Sequence, residues 1–265
     1  MVWLGSQSGT KYRKVGDVIY RLWNCNFGDQ WASINLLLCL SEMSGRTILT
    51  HSPLDKRKLH VEILESLSVP YKVGLRFVTE KPDIDVVGFD VWATPFYNTK
   101  NHWNYKVAHK NVCYQFDGLS AGSDKNPPAQ EEKLLIRALE QSGFNPIKLG
   151  KNLSVKECID AAVDSAFFVG VDSGMSHLCH SVGLPMFLLE YKLPVITSHR
   201  GKQYTLCKGM DDFLQSKLPT WMDYLRFIKH PDGDKSTIPK RGIREKLPPK
   251  WWMPRESPLL TIKKS

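Results

Sequence analysis

Short apolar runs alternate with longer amphipathic ones along most of this chain. Residues 17–27, 46–50, 73–78 and 85–92 are rich in β-branched and aromatic side chains and predict strands. Between them, 31–44 predicts a buried helix through Ile34, Leu37 and Leu38, with Gly45 as its stop. Residues 55–68 predict a second helix through Leu59, Ile63, Leu64 and Leu67. Residues 94–110 have no clear period and read as a connection in which His102, Trp103, Tyr105 and His109 are open to either acceptor contact or loop packing. The pattern then restarts. Strands are predicted at 111–116, 146–149, 167–171 and 186–189, and helices at 129–142 and 154–165. The first of these helices turns Leu134, Leu135, Ala138 and Leu139 inward, and the second opens on the capping-box spacing of Ser154 and Glu157. Residues 211–217 and 221–228 predict further helices. Strands alternating with helices in this way predict an α/β protein with mostly parallel sheets.

The stretch 167–191, FFVGVDSGMSHLCHSVGLPMFLLEY, is the most informative. An apolar strand is broken by Asp172, Ser173 and Gly174, and Met175, Leu178, Cys179 and Val182 then form one helix face. Gly183 and Pro185 end that helix before the next strand. Parallel sheets bind ligands beyond the carboxyl ends of their strands, and helix N-termini attract anions, so this turn is a candidate ligand loop. On its own, Asp-Ser-Gly reads as readily as a helix cap. Two other positions share this setting. Gly28 and Asp29 lie between the first predicted strand and helix, and Lys125 lies on a loop (117–128) leading into a helix. An aspartate there serves as an N-cap or as a base, and a lysine as a solvated loop residue or a phosphate ligand. Glu190 ends a strand, where a carboxylate holds ribose hydroxyls in some α/β folds.

The run VDSGMSHLCHSVGLP resembles the donor-site signature of the heptosyltransferase-like glycosyltransferases (glycosyltransferase family 9), in which Asp172, Ser173, Gly174, His177 and Pro185 match. The resemblance extends to Gly28-Asp29 ahead of the first helix and to Lys125 in the loop after the second half's first strand. The family more often shows Lys-x-Trp-Pro where this chain has Lys-Asn-Pro-Pro, so the basic role carries over and the tryptophan contact does not. The resemblance implies a compact GT-B architecture, with two Rossmann-like halves facing a cleft and the helices at 211–217 and 221–228 crossing back to the first half. Residues 1–105 would form the acceptor half, 106–228 the nucleotide-sugar half and 229–265 a basic extended arm. It implies an inverting, metal-independent transfer from a UDP- or ADP-linked sugar, with no other cofactor. Asp29 would be the catalytic base, and Lys125, Asp172, Ser173, Gly174, His177 and Glu190 would hold the donor. Gly28, Arg200 and Lys202 would meet phosphates or the acceptor.

Composition narrows this picture a little. The chain has 265 residues, 42% of them apolar, as is ordinary for a globular protein. No apolar run reaches membrane-spanning length, and residues 1–14 lack the apolar core of a signal peptide, so a cytoplasmic location is expected. Six scattered cysteines without a CxxC pair predict buried thiols rather than disulfides or a zinc site. The net charge is +9, and residues 229–265 hold ten Lys/Arg against four Asp/Glu, so most of that surplus is in the arm. Such a tail aids solubility or meets an anionic partner. Trp251 and Trp252 within it add stacking surfaces. Duplex DNA carrying hydroxymethylated bases is therefore slightly favoured as acceptor over an anionic glycolipid such as lipopolysaccharide. Two rivals remain: a non-catalytic nucleotide-sugar binding module, and an epimerase acting on the donor alone.

Overall fold

The computed structural model describes residues 18–22, 26–68, 74–85, 110–118, 125–191 and 204–229. Arg200, Lys202, residues 94–109 and the basic arm from 230 onward lie outside the described residues. The first group of elements is β1 (Ile19–Arg21), α1 (Phe27–Ser44), β2 (Ile48–His51), α2 (Arg57–Ser68), β3 (Leu75–Val78) and β4 (Ile84–Asp85). The second is β5 (Asn111–Gln115), α3 (Ala129–Gln141), β6 (Asn145–Lys148), α4 (Val155–Val163), β7 (Phe168–Gly170), α5 (Gly174–Val182), β8 (Met186–Leu189) and β9 (Tyr204–Cys207). The chain then runs through α6 (Gly209–Asp212), a π-helical turn (Phe213–Lys217) and α7 (Leu218–Lys229).

These elements form two wholly parallel sheets, ordered β3-β2-β1-β4 and β6-β5-β7-β8-β9. The predicted α/β class is therefore present, and two parallel sheets with their helices are compatible with two Rossmann-like halves. Each sheet contains a point where the strand order reverses, between β1 and β4 in the first and between β5 and β7 in the second. Open α/β sheets bind ligands at such points. Pro146 sits in β6, at the sheet edge, where a missing N–H costs no ladder bond.

Helix α1 is the pivot of the packing. Trp31, Ala32, Ile34 and Leu38 are fully buried, and a helix apolar on several faces belongs between layers. It packs on α2 and on α5, so one apolar cluster runs from Tyr20 and Ile48 of the first sheet through Leu178 of α5 to Met186 and Leu188 of the second. The Trp31 indole N–H donates to Ser181 Oγ over 2.9 Å in that interior, joining positions 150 residues apart. A second cluster lies on the other face of the second sheet. There Phe167, Phe187, Phe213 and Trp221 meet edge to face or tilted, at centroid distances of 5.1–6.4 Å.

Four details depart from the sequence reading. The first helix begins at Phe27, not at residue 31, because Asn26 caps it and Asp29 closes the cap from the third position. Leu134 is exposed, since Leu135 and Leu139, four apart, already fill the buried stripe of α3. Strand β9 is an addition, pairing with β8 along its whole length. The helices after it, through Trp221, pack on the second sheet beside Phe167 and Phe187 rather than crossing to the first, because their aromatic residues complete that core. Among the described residues no helix is long and apolar enough to cross a membrane. Cys113, Cys158, Cys179 and Cys207 are buried free thiols, whereas Cys25 and the Cys39 side chain lie outside the described residues.

Ser181→Ala leaves the buried Trp31 N–H without its acceptor, at a cost of about 1–3 kcal/mol. Urea denaturation of the variant is expected to show that loss with an unchanged slope.

Candidate functional site

Both order reversals point to the same place. Helix α1 follows β1 and helix α5 follows β7, each a strand flanking a reversal. Their N-termini meet glycine to glycine. A Cβ on Gly28 would lie 3.0 Å from Gly174 Cα and 2.8 Å from His177 Cδ2. A Cβ on Gly174 would lie 2.9 Å from Gly28 N. A side chain at Gly174 would force backbone to move, and one at Gly28 would displace His177 and crowd Gly174. Two helix ends with unpaired N–H groups and positive dipole charge are thus held against each other.

Ionisable side chains surround that contact. Asp29, in the first turn of α1, accepts the Asn26 N–H through Oδ2 at 3.0 Å. Burial pushes its carboxyl above the ordinary range. The Asn26 N–H and the Lys125 charge oppose this, and the Asp172 charge adds to it. Lys125 Nζ donates to the Asp172 carbonyl at 2.8 Å. Burial lowers its pKa, while Asp172 and Asp29 hold it up. His177 Nε2 stands 3.9 Å from Asp172 Oδ1, and both side chains are largely buried. Residues 29, 125, 172 and 177 therefore share one electrostatic neighbourhood. A partly buried carboxylate with a raised pKa, next to an ammonium and a helix N-terminus, suits proton abstraction beside an anionic group.

The supporting groups are mostly ones the sequence reading passed over. Ser173 Oγ donates to Gln115 Oε1 at 2.6 Å, so this hydroxyl ties the loop to the end of β5. Ser176 Oγ accepts the Ser173 N–H and donates to its carbonyl, which fixes the first turn of α5. Asn126 brackets Gly118 with two hydrogen bonds, at 2.9 Å to its N–H and 3.1 Å to its carbonyl. Gly118 is bare because Lys125 passes over it, and a Cβ there would come within 2.6 Å of Lys125 Cε. The signal for this was present as Asp117-Gly118 directly after a strand, since glycine in that position marks close approach of another group. Gly28 and Asp29 do not form a separate turn. They occupy the second and third positions of α1, and the spacing of Asn26 and Asp29 is that of a cap.

Glu190 stands at the carboxyl end of β8, one strand from β7, with its N–H bound to the Cys207 carbonyl at 2.8 Å. The neighbouring Tyr191 hydroxyl donates to Glu131 at the start of α3, and burial, followed by that contact, pushes the phenol pKa up. Arg200 and Lys202 lie outside the described residues. Comparison of the chain with protein-family models, with curated proteins and with solved structures finds no match.

Two predictions follow from these contacts. Alanine at Gly174 would ordinarily favour a helix by up to about 1 kcal/mol. Here its Cβ meets backbone, and overpacking costs about 1–3 kcal/mol, so chemical denaturation is expected to show a net loss. Asp29→Asn keeps an acceptor for the Asn26 N–H and removes a charge that burial disfavours. A raised folded pKa means the folded protein binds the proton more tightly, so ionised Asp29 detracts from stability at neutral pH. The variant should therefore melt at or above the wild-type temperature at pH 7, with its advantage fading as pH falls through the raised Asp29 pKa. A lower melting temperature at pH 7 would mean that the charge serves only the cap.

Proposed function

We propose that this chain is a glycosyltransferase of GT-B type that moves a sugar from a nucleotide-sugar to an acceptor hydroxyl. The observation that supports it most is the gathering of Asp29, Lys125 and Asp172 around the contact of two helix N-termini, from sites 143 residues apart. A sugar or base hydroxyl is a poor nucleophile at neutral pH, and a carboxylate of raised pKa is matched to taking its proton. In this reading Asp29 receives the proton as the acceptor oxygen forms its bond to the anomeric carbon. The bond from that carbon to the diphosphate oxygen breaks on the opposite face, and the electron pair leaves with the nucleoside diphosphate. The configuration inverts. Lys125 and the N–H groups at Gly174 stabilise the departing charge.

Asp172, Ser173 and His177 are assigned to shaping the donor pocket, and Glu190 to the ribose hydroxyls. Ser173 acts through Gln115 as much as directly, because its hydroxyl is already donated there. Residues 1–105 and 106–228 form the two halves, and 229–265 the basic arm. The donor is UDP- or ADP-linked and the reaction metal-independent. The acceptor is a hydroxymethylated base in DNA, favoured over an anionic glycan by the charge of the arm, to which Arg200 and Lys202 add.

One observation favours a second reading. The Asp29 carboxylate accepts the Asn26 N–H, which is what a purely structural cap would do. A non-catalytic nucleotide-sugar binding module would need nothing more.

A thermal-shift panel of nucleoside diphosphates and nucleotide-sugars separates these outcomes. A ligand bound only by the folded chain raises the melting temperature. The expected result is a shift with UDP or ADP compounds that Asp172→Ala abolishes. With that donor and hydroxymethylated DNA, mass spectrometry should then find one added sugar per modified base. Asp29→Asn should lower the rate by at least about a hundredfold, in the range typical of a lost general base, without losing the shift. A shift with no transfer or donor hydrolysis would support the binding module, and no shift with any nucleotide would remove both readings.

A further inference from the structure

Beyond β5 the chain continues through the buried Phe116 to Gly118, which is buried as well. The Asn126 carboxamide pairs with both backbone groups of that glycine. Its Oδ1 accepts the Gly118 N–H at 2.9 Å, and its Nδ2 donates to the Gly118 carbonyl at 3.1 Å. A residue on a neighbouring strand would pair in the same way. Asparagine suits this task because its short side chain carries a donor and an acceptor side by side, whereas ionised aspartate offers acceptors alone. Asn126 is also held from the other side. Pro127 and Pro128 follow it with ring-fixed backbones, and Pro128 is the N-cap of α3. A residue before a proline is kept out of the helical region, so the path from Asn126 to α3 has little freedom.

Lys125 lies within this clamp. A Cβ on Gly118 would sit 2.6 Å from Lys125 Cε, 3.2 Å from Asn126 Oδ1 and 3.3 Å from Val171 Cγ2. The lysine stem therefore runs over the bare glycine, and its Nζ reaches the Asp172 carbonyl, 47 residues away, at 2.8 Å. A flexible four-carbon stem has many rotamers, and one hydrogen bond at its tip is a weak way to select among them. A groove along the stem selects far better. The charges acting on the ammonium are Asp172, in the turn between β7 and α5, and Asp29, on α1. His177 of α5 faces Asp172 at 3.9 Å, and Asp117, beside Gly118, pairs with Lys148 at 3.0 Å.

We propose that Asn126 is a positioning residue for Lys125: by holding Gly118 it keeps the groove in which the stem lies, and so delivers the ammonium to the Asp172 carbonyl. What the ammonium does there rests on the glycosyl-transfer reading, in which it stabilises the departing diphosphate. Its placement does not rest on that reading. Asn126 acts through Lys125 and has no part of its own in the transfer. Without the clamp the stem is released to solvent. Burial is the largest influence on Lys125 and lowers its pKa, with Asp172 and Asp29 opposing. A released stem loses all three influences, and the net change is a rise toward the ordinary lysine value.

The test is the pH titration of the Lys125 Cε signal in the full chain, labelled with carbon-13 at lysine and assigned by its loss in Lys125→Gln. Wild type is expected to titrate below an ordinary lysine and Asn126→Ala at the ordinary value. Asn126→Ser, a milder change that keeps one hydrogen-bonding group, should fall between them. A merely structural Asn126 would lower the melting temperature and leave the titration in place, so an unchanged titration in both variants would overturn the proposal. A second arm reads donor binding. With the UDP- or ADP-linked donor, Asn126→Ala should raise the dissociation constant at least about tenfold, as loss of a charged hydrogen bond implies. In a Lys125→Ala background the same substitution should change it by less than about twofold, because residues that act through one group do not add. Equal losses in the two backgrounds would also overturn the proposal. If no nucleotide binds wild type, the glycosyl-transfer reading fails, and the Lys125 titration still decides the role of Asn126.

Discussion

The contact between Gly28 and Gly174 is the constraint on which the rest depends. Two helices from two different sheets can meet end to end only where neither carries a side chain, and here the approach reaches about 3 Å between a would-be Cβ and backbone. Dipoles with like ends together repel, so this arrangement needs compensation. Packing along the helices supplies part of it, through Trp31 and its bond to Ser181 and through the apolar cluster shared by both sheets. At Asp29, the Asn26 N–H and the Lys125 charge offset part of the cost of burying a carboxylate there.

That compensation is incomplete in an informative way. Burial still pushes Asp29 up and Lys125 down, each toward its neutral form. A site evolved only to hold the two helices together would do better with fewer buried charges, because surface-like pairing or apolar contact is cheaper. Partly buried charges at a sheet's order-reversal point are the arrangement that ligand-binding sites of open α/β sheets use.

Much of this was legible in the chain. The alternation of strands and helices gave the parallel α/β class, and the glycine, aspartate and serine at 172–174 marked the loop that opens α5. Periodicity failed where two devices overlapped. Gly28-Asp29 looked like a turn because glycine and aspartate favour turns, yet tertiary contact places that glycine inside α1, where the partner helix requires it. The roles of Gln115 and Asn126 were not legible, because each acts on a group brought near only by folding.

Under the proposed function, Asp29 would carry two duties in one device. A catalytic base must be fixed in direction and raised in pKa, and these demands usually conflict, since hydrogen bonds that fix a carboxylate also lower its pKa. A cap at the third helical position resolves part of the conflict. It commits one carboxylate oxygen to a single backbone N–H, at 3.0 Å from Asn26, and burial outweighs the lowering effect of that bond and of Lys125. Under the proposed function the two roles of Asp29 would support each other: the cap would hold the carboxylate in place, and burial would make it more basic.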